Sequence, residues 1–171
     1  MASRWFILNE WILHDLVGEN GVVRQKQSGN FLAALLESPD GIVVYVASQW
    51  MRKLWNFYSR NSQRETYRTE ERRLFTLLYT DIIRHSRKCR GLLNAQIGDL
   101  PDDLQSLLES NTIDRDDTYL FQTFFAPGVQ AECIVTTDQR LIDAIDESPL
   151  NVSMVHRDDF LKEYLGESPA R

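Results

Sequence analysis

The 171-residue sequence has few of the residues on which several protein classes depend. Its two cysteines, Cys89 and Cys133, lie far apart, and there are three histidines, so we expect neither a disulfide framework nor a Cys/His metal cluster. No apolar run approaches the ~20 residues of a membrane-spanning helix. The first apolar run halts at Asn9, which argues against a signal peptide. We therefore expect a cytoplasmic protein that makes no use of a membrane.

The sequence also lacks the motifs of several large enzyme classes. It contains no GxxxxGK[ST] or GxGxxG phosphate-binding loop, no HExxH or CxxC, and no GxSxG nucleophile elbow. Hydrophobic residues make up 43% of the chain and charged residues 26%, which is typical of a folded globular protein. The length predicts a single domain over residues 1–171.

Positive charge is concentrated in one stretch, residues 52–90, which we term the basic segment. It holds eleven Lys or Arg against four Asp or Glu, a surplus of +7, within a chain whose net charge is −6. Such asymmetry indicates a face that binds polyanions, although a solvated helical surface explains it equally well. For an RNA-binding face, the predicted contacts are Arg52, Lys53, Arg60, Arg64 and Arg68. Tyr58 and Tyr67 lie among these arginines and could stack on an unpaired base, or could be surface residues without a role.

Apolar runs and helical periodicity alternate along the chain. Strands are predicted near 5–8, 42–46, 133–136 and 152–155, with helices between them and a polar loop or small hairpin over 18–29. The four tryptophans (Trp5, Trp11, Trp50 and Trp55) fall on apolar stripes and are expected in the core. The alternation predicts an α/β fold in which helices cover a parallel sheet.

Polar side chains stand where the predicted strands end, and ligands collect there in parallel sheets. Asn9 and Glu10 follow the first strand, Asp138 follows the strand 133–136, and Asp117 opens the helix before that strand. Carboxylates that converge from separate elements repel one another unless a cation lies between them, and oxygen ligands favour Mg²⁺ or Mn²⁺. Asp117 and Asp138 could instead simply cap their helices.

The segments around these acids follow one another in a distinctive order. A strand with Asn-Glu at its end (Phe6–Leu13) comes first, Asp117–Thr123 and the Thr-Thr-Asp-x-x-Leu of 136–141 follow, and Asp-Phe-Leu at 159–161 opens the last helix. Together these segments resemble the PIN-domain family of nucleases. The resemblance implies a three-layer sandwich with a central parallel sheet flanked by helices. It also implies Mg²⁺- or Mn²⁺-dependent cleavage of single-stranded RNA, and it suggests an antitoxin-like protein partner or a homodimer.

The resemblance assigns site residues, with two departures from the family pattern. Asp117, Asp138 and Asn9 are the implied catalytic residues, and Asp117, Asp138 and Glu10 the implied metal ligands. However, Asn9 stands where the family has its first acid, and the helix after the second strand has no acid near its start. That helix instead carries Lys53, which could take the place of the ion by pairing with Asp117 or Asp138.

Three functions remain open on this sequence. The first is a metal-dependent endoribonuclease, either toxin-like or RNA-processing. The second is a degenerate PIN-like module that binds nucleic acid or a protein without cutting. The third is an interaction protein whose acidic part engages a basic partner.

Overall fold

The sheet consists of five parallel strands. A computed structural model describes residues 4–37, 42–63, 69–84, 87–92 and 99–165, with residues 42–47 and Tyr164 described by their backbone only. The strands are β1 (Arg4–Leu8), β2 (Ile42–Ala47), β3 (Cys89–Leu92), β4 (Cys133–Thr136) and β5 (Met154–His156). They lie in the order β3-β2-β1-β4-β5. β2 and β3 are added on one side of β1, and β4 and β5 on the other. The strand order therefore reverses between β1 and β4, although all strands remain parallel.

Helices connect the strands and flank the sheet. They are α1 (Trp11–Leu16), α2 (Val22–Glu37), α3 (Ser48–Ser62), α4 (Thr69–Thr76) continued by a π-helix (Leu77–Ile83), α5 (Asp102–Glu109), a 3-10 turn (Arg115–Asp117) leading into α6 (Thr118–Phe124), α7 (Gln139–Asp146) and α8 (Arg157–Leu165). A parallel sheet flanked by helices confirms the predicted α/β class.

The core is built from strands that are apolar on both faces. Phe6 of β1 packs edge-on against Phe160 of α8, which in turn packs against Phe31 of α2. All four residues of β4 are buried. Continuous burial is typical of a central parallel strand covered on both sides. It explains why the apolar run at 133–136 does not alternate between apolar and exposed polar residues.

Residues 18–29 do not form the predicted loop or hairpin. Helix α2 begins at Val22 and runs through Gly29 to Glu37. Gly29 is buried in this helix, where an added Cβ would lie 2.9 Å from Leu74 Cδ2. The glycine that suggested a loop is thus the point where α2 approaches α4, and tertiary packing outweighs its low helix propensity.

Two further features differ from the predictions. Strand β3 was not predicted, because its four residues carry neither alternation nor β-branched side chains and it lies at the sheet edge. Trp55 is not a core residue, since it is 44% exposed. Its position on the apolar stripe of α3 does indicate packing, but the packing is against the half-buried ring of Tyr79 and the exposed ring of Tyr58.

Candidate active site

The polar residues that follow β1 and β4 meet at one edge of the sheet. β1 pairs in parallel with β4, with Leu8 opposite Val135, so Asn9 and Glu10 leave the sheet beside the loop that carries Asp138. β2 lies on the other side of β1. In open α/β sheets such a reversal of strand order opens a crevice at the carboxyl ends of the strands, where ligands bind.

Asn9 is buried, and both the nitrogen and the oxygen of its amide form hydrogen bonds. Its Nδ2 donates to Thr136 Oγ1 at 3.2 Å, and its Oδ1 accepts from the Tyr119 hydroxyl at 3.0 Å and from the Glu10 N–H at 2.7 Å. These bonds tie the ends of β1 and β4 to α6. Asn9 therefore holds the crevice together, with both acceptor directions of its oxygen already used.

Lys53 of α3 reaches into the crevice and pairs with Glu10. The Nζ lies 3.1 Å from Glu10 Oε2, and both side chains are partly buried. The ammonium also lies 5.5 Å from the centre of the Tyr119 ring. The predicted lysine counter-charge thus exists, but its partner is Glu10 rather than Asp117 or Asp138.

Asp117 is the residue on which the charges of the site converge. It ends the 3-10 turn before α6 and is partly buried. Burial is the main reason that its pKa is raised to about 6; Lys53 lowers this pKa, and the negative charges of Asp138, Glu10 and Asp114 raise it. Burial and the neighbouring acids thus oppose the ionisation of Asp117, whereas Lys53 favours it.

Asp138 performs the capping role that the sequence left open. One of its carboxylate oxygens, Oδ1, accepts from the N–H groups of Arg140 and Leu141 at 3.0 and 3.2 Å. Its own N–H donates to Thr136 Oγ1 at 3.2 Å. Capping and ligand binding are compatible, because each carboxylate has a second oxygen, and no hydrogen bond within the described ranges occupies Oδ2 of Asp138.

An open pocket of about 470 Å³ adjoins Asp138. Its walls come from residues 111–115 and from the first turn of α7, and they include Arg115 and Arg140. Two guanidinium groups beside an acidic crevice suit a substrate that carries phosphate.

The predicted RNA-binding residues are divided between two places. Arg52 and Arg60 are exposed on α3, where Arg60 stacks on Phe57 at 4.8 Å. Lys53 points into the acidic crevice instead. Arg64 and Arg68, with Tyr67, lie outside the described residues.

Sequence analysis missed two residues that shape the site, Tyr119 and Thr136. Both are buried, and both hydrogen-bond to Asn9. Burial and the nearby charges of Glu10 and Asp117 raise the pKa of Tyr119, so its hydroxyl remains a donor. Each lies two residues from a candidate acid, Tyr119 after Asp117 and Thr136 before Asp138. This spacing was the feature of the sequence that could have identified them.

No helix in the described ranges combines the length and hydrophobicity required to cross a bilayer. No family model matches the sequence, and no curated protein is similar to it. A similar solved structure is the crystal structure of VapBC2 from Rickettsia felis bound to a DNA fragment from their promoter. The identity is 13%, the alignment covers 89% of this chain and 98% of that chain, and the TM-score is 0.49.

Proposed function

We propose that the chain is a PIN-like, metal-dependent nuclease that cleaves single-stranded RNA at the crevice between β1 and β4. The observation that carries this proposal is that Glu10 and Asp138 follow adjacent parallel strands at the same end of the sheet, and that the charges of both raise the pKa of the partly buried Asp117. Lys53 neutralises only one of these three charges if all are ionised. A surplus of negative charge in a partly buried crevice favours binding of a cation.

The carboxylates of Asp117 and Asp138 fit Mg²⁺ or Mn²⁺ as a sparse ligand set. Mg²⁺ is commonly held by one or two carboxylates, with water completing its shell. In the described part of the chain, no group of three or more His, Cys, Asp or Glu is arranged to hold a metal. Glu10 would join as a third ligand only after release from Lys53, and Asn9 is held by its hydrogen bonds.

A divalent ion bound there would polarise the phosphoryl oxygen and lower the pKa of a water ligand. The chain's own residues then have separate tasks. Asp117 and Asp138 would bind the ion. The hydrogen bond from Asn9 to Thr136 keeps the ends of β1 and β4 in register. Arg115 and Arg140, on the walls of the adjoining pocket, are placed to orient a phosphate by paired N–H donors.

One observation favours a second function, a module that binds nucleic acid or a protein without cutting. Lys53 already provides the crevice with a positive charge, and Asn9 replaces one carboxylate with a neutral amide. Like charges repel at short range, so the ammonium opposes the entry of a divalent ion. An antitoxin-like partner, a homodimer and a cytoplasmic location remain predictions under either function.

Cleavage of labelled single-stranded RNA in Mn²⁺ tests the nuclease. We expect cleavage by the native chain and a loss of at least about 100-fold in Asp138→Asn, because one of the two charged ligands is removed. Asn caps helices as well as Asp does, so α7 keeps its start in this variant. Asp143→Asn, on the exposed side of α7, is the matched control and should cleave normally.

Unchanged cleavage in Asp138→Asn would contradict the nuclease. Calorimetry with Mn²⁺ then separates the two functions. Micromolar binding that Asp117→Asn abolishes supports the metal site, whereas RNA binding without Mn²⁺ binding or cleavage supports the second function.

A further inference from the structure

A second pocket lies between α3 and the segment formed by α4 and the π-helix. None of the candidate acids (Glu10, Asp117 and Asp138) lines it. Its volume is about 580 Å³. We term it the aromatic groove, because four rings line it: Trp55 and Tyr58 of α3, Phe75 of α4 and Tyr79 of the π-helix. Nothing in the proposed cleavage chemistry uses these residues.

The rings form a connected row in which Trp55 and Tyr58 are exposed, Tyr79 is half-buried and Phe75 is buried. Trp55 lies 4.9 Å from Tyr79 and 6.0 Å from Tyr58, and Tyr58 lies 6.1 Å from Phe75, measured between ring centres. All three pairs are edge-to-face, so the exposed rings of Trp55 and Tyr58 keep faces that their neighbours do not cover. Trp55 and Tyr58 are 44% and 42% exposed, respectively. Exposed aromatic rings that already pack on one another indicate a binding surface.

The surroundings of the groove are cationic. Arg72 is part of its lining, and Arg52 is exposed one turn before Trp55 on the same helix. The groove lies within the basic segment, with its surplus of +7. Flat apolar surfaces beside positive charge are complementary to a polyanion with flat bases, because the rings can stack on the bases while the guanidinium groups attract the phosphates.

The backbone of the groove is unusual as well. The seven residues Leu77–Ile83 form a π-helix that presents Tyr79 and Thr80 to the groove. π-helical turns are rare and are frequent at functional sites. The wider helical turn supports a role for this wall beyond packing.

We propose that the aromatic groove stacks the unpaired bases of a single-stranded nucleic acid while Arg52 and Arg72 contact its phosphates. This inference rests on the proposed function for the identity of the ligand. Exposed Asn56 and Arg60 lie on the face of α3 between Trp55 and Lys53, at a spacing set by 3.6 residues per turn. A nucleic acid long enough to pass over these two residues would connect the groove with the crevice in which Lys53 pairs with Glu10.

Binding of a labelled oligoadenylate of about 12 nucleotides, a length suited to one such platform, tests the inference. The full chain is used with a chelator, so that cleavage does not interfere. A ribose-phosphate oligomer of equal length without bases is the comparison. Trp55→Ala should weaken oligoadenylate binding about tenfold and leave binding of the abasic oligomer unchanged, because only the stacking is lost.

Three further variants sharpen the test. Trp55→Phe should restore most of the affinity, since a ring is retained. Arg52→Gln should weaken binding of both oligomers and reduce the dependence of affinity on salt, because a phosphate contact releases counterions. Val22→Ala, an exposed apolar truncation on α2, should change neither.

Equal binding of the two oligomers, or oligoadenylate affinity that does not respond to Trp55→Ala, overturns the inference. So does a dimer that Trp55→Ala dissociates while oligoadenylate affinity is unchanged, which would make the groove an interface between copies. Failure of the proposed function gives a different result. If oligoadenylate binding depends on Trp55 but no RNA is cleaved, the inference about the groove holds and the nuclease proposal does not. Conversely, Mn²⁺-dependent cleavage with an unchanged KM in Trp55→Ala overturns the groove alone.

Discussion

The ammonium of Lys53 lies 3.1 Å from a carboxylate oxygen of Glu10, inside the crevice where the candidate metal ligands converge. The two residues come from different elements, Glu10 from the end of β1 and Lys53 from α3. Burial raises the pKa of Asp117, Lys53 lowers this pKa, and the neighbouring acids raise it further. One side chain thus balances part of the charge that a divalent ion would balance.

Replacement of Lys53 by Met should strengthen Mn²⁺ binding. Removing the positive charge frees Glu10 and ends the repulsion between the ammonium and the ion, so we expect affinity to rise about tenfold in calorimetry. Arg60→Met, an exposed change on the same helix, serves as control and should have little effect. An affinity equal to that of the native chain would show that Lys53 does not oppose the ion.

Asp117→Asn should stabilise the metal-free protein at pH 7.5. The pKa of Asp117 is about 6 in the folded state and about 3.9 in the unfolded chain, so its ionisation opposes folding. The contribution of Asp117 to stability is therefore most favourable below about pH 4, falls as pH rises towards 6, and is constant above that range. Allowing for the partial exposure of Asp117, we expect a gain of about 1 kcal/mol, or 2–4 °C in Tm.

Thermal unfolding at two pH values checks the sign. At pH 4.5 the native Asp117 is already protonated, so the gain from Asp117→Asn should largely disappear. Asp116→Asn, on the exposed neighbour, should shift Tm little at either pH. A gain from Asp117→Asn of equal size at both pH values would refute the assignment of the effect to ionisation.

Asn9→Asp should lower the stability of the metal-free protein and strengthen Mn²⁺ binding. The new carboxylate can still accept from the Tyr119 hydroxyl, but it loses the donor to Thr136 and adds charge at a buried position next to Glu10. We expect a cost of about 1–3 kcal/mol in unfolding free energy. Added Mn²⁺ should raise Tm more in this variant than in the native chain. An equal Mn²⁺ effect would place residue 9 outside the metal site.

A buried ion pair between α1 and α8 should contribute more to stability than a surface pair does. Arg157 Nε lies 2.8 Å from Asp15 Oδ2, both side chains are almost fully buried, and the Ser28 hydroxyl donates to the same oxygen at 2.6 Å. Asp15→Ala leaves a buried guanidinium without this partner, and we expect a loss of about 3–5 kcal/mol in urea unfolding.

The surface pair between Glu70 and Arg73 is the control for that variant. Its atoms approach to 2.7 Å, but both side chains are more than half exposed. Glu70→Ala should therefore cost at most about 1 kcal/mol. Similar losses in Asp15→Ala and Glu70→Ala would contradict the role of burial.

Local features of the sequence were sufficient where one residue type dominates a short range. The β-branched run at 42–46 and the apolar run at 133–136 indicate buried strands without knowledge of their neighbours. For Asp138, the place before an amphipathic helix made capping one of two open roles, and the structure shows the cap. Local features were misleading for Gly29, because its place in a helix depends on the approach of Leu74 in α4. They did not reveal β3, because that edge strand is defined by its pairing with β2.

The placement of acids after strands was predictable in outline, but the pairing among them was not. Adjacent parallel strands bring their carboxyl ends to one edge, so Asn9 and Asp138 were expected to be neighbours. Whether Lys53 reaches Glu10 or Asp117 depends on where α3 lies on the sheet and on its rotation. Likewise, the stripe that carries Trp55 is visible in the sequence, whereas the exposure of that ring depends on how far apart α3 and α4 pack.

The amino-acid order alone determined the α/β class, the separation of charge between the basic segment and the rest, and the acids that stand at strand ends. These depend on local periodicity and composition, which act over a few residues. Tertiary structure decided that Asn9 is locked by hydrogen bonds, that Lys53 neutralises Glu10, and that four rings form a groove. Those outcomes depend on distances between elements remote in sequence, which only the packing of helices on the sheet sets.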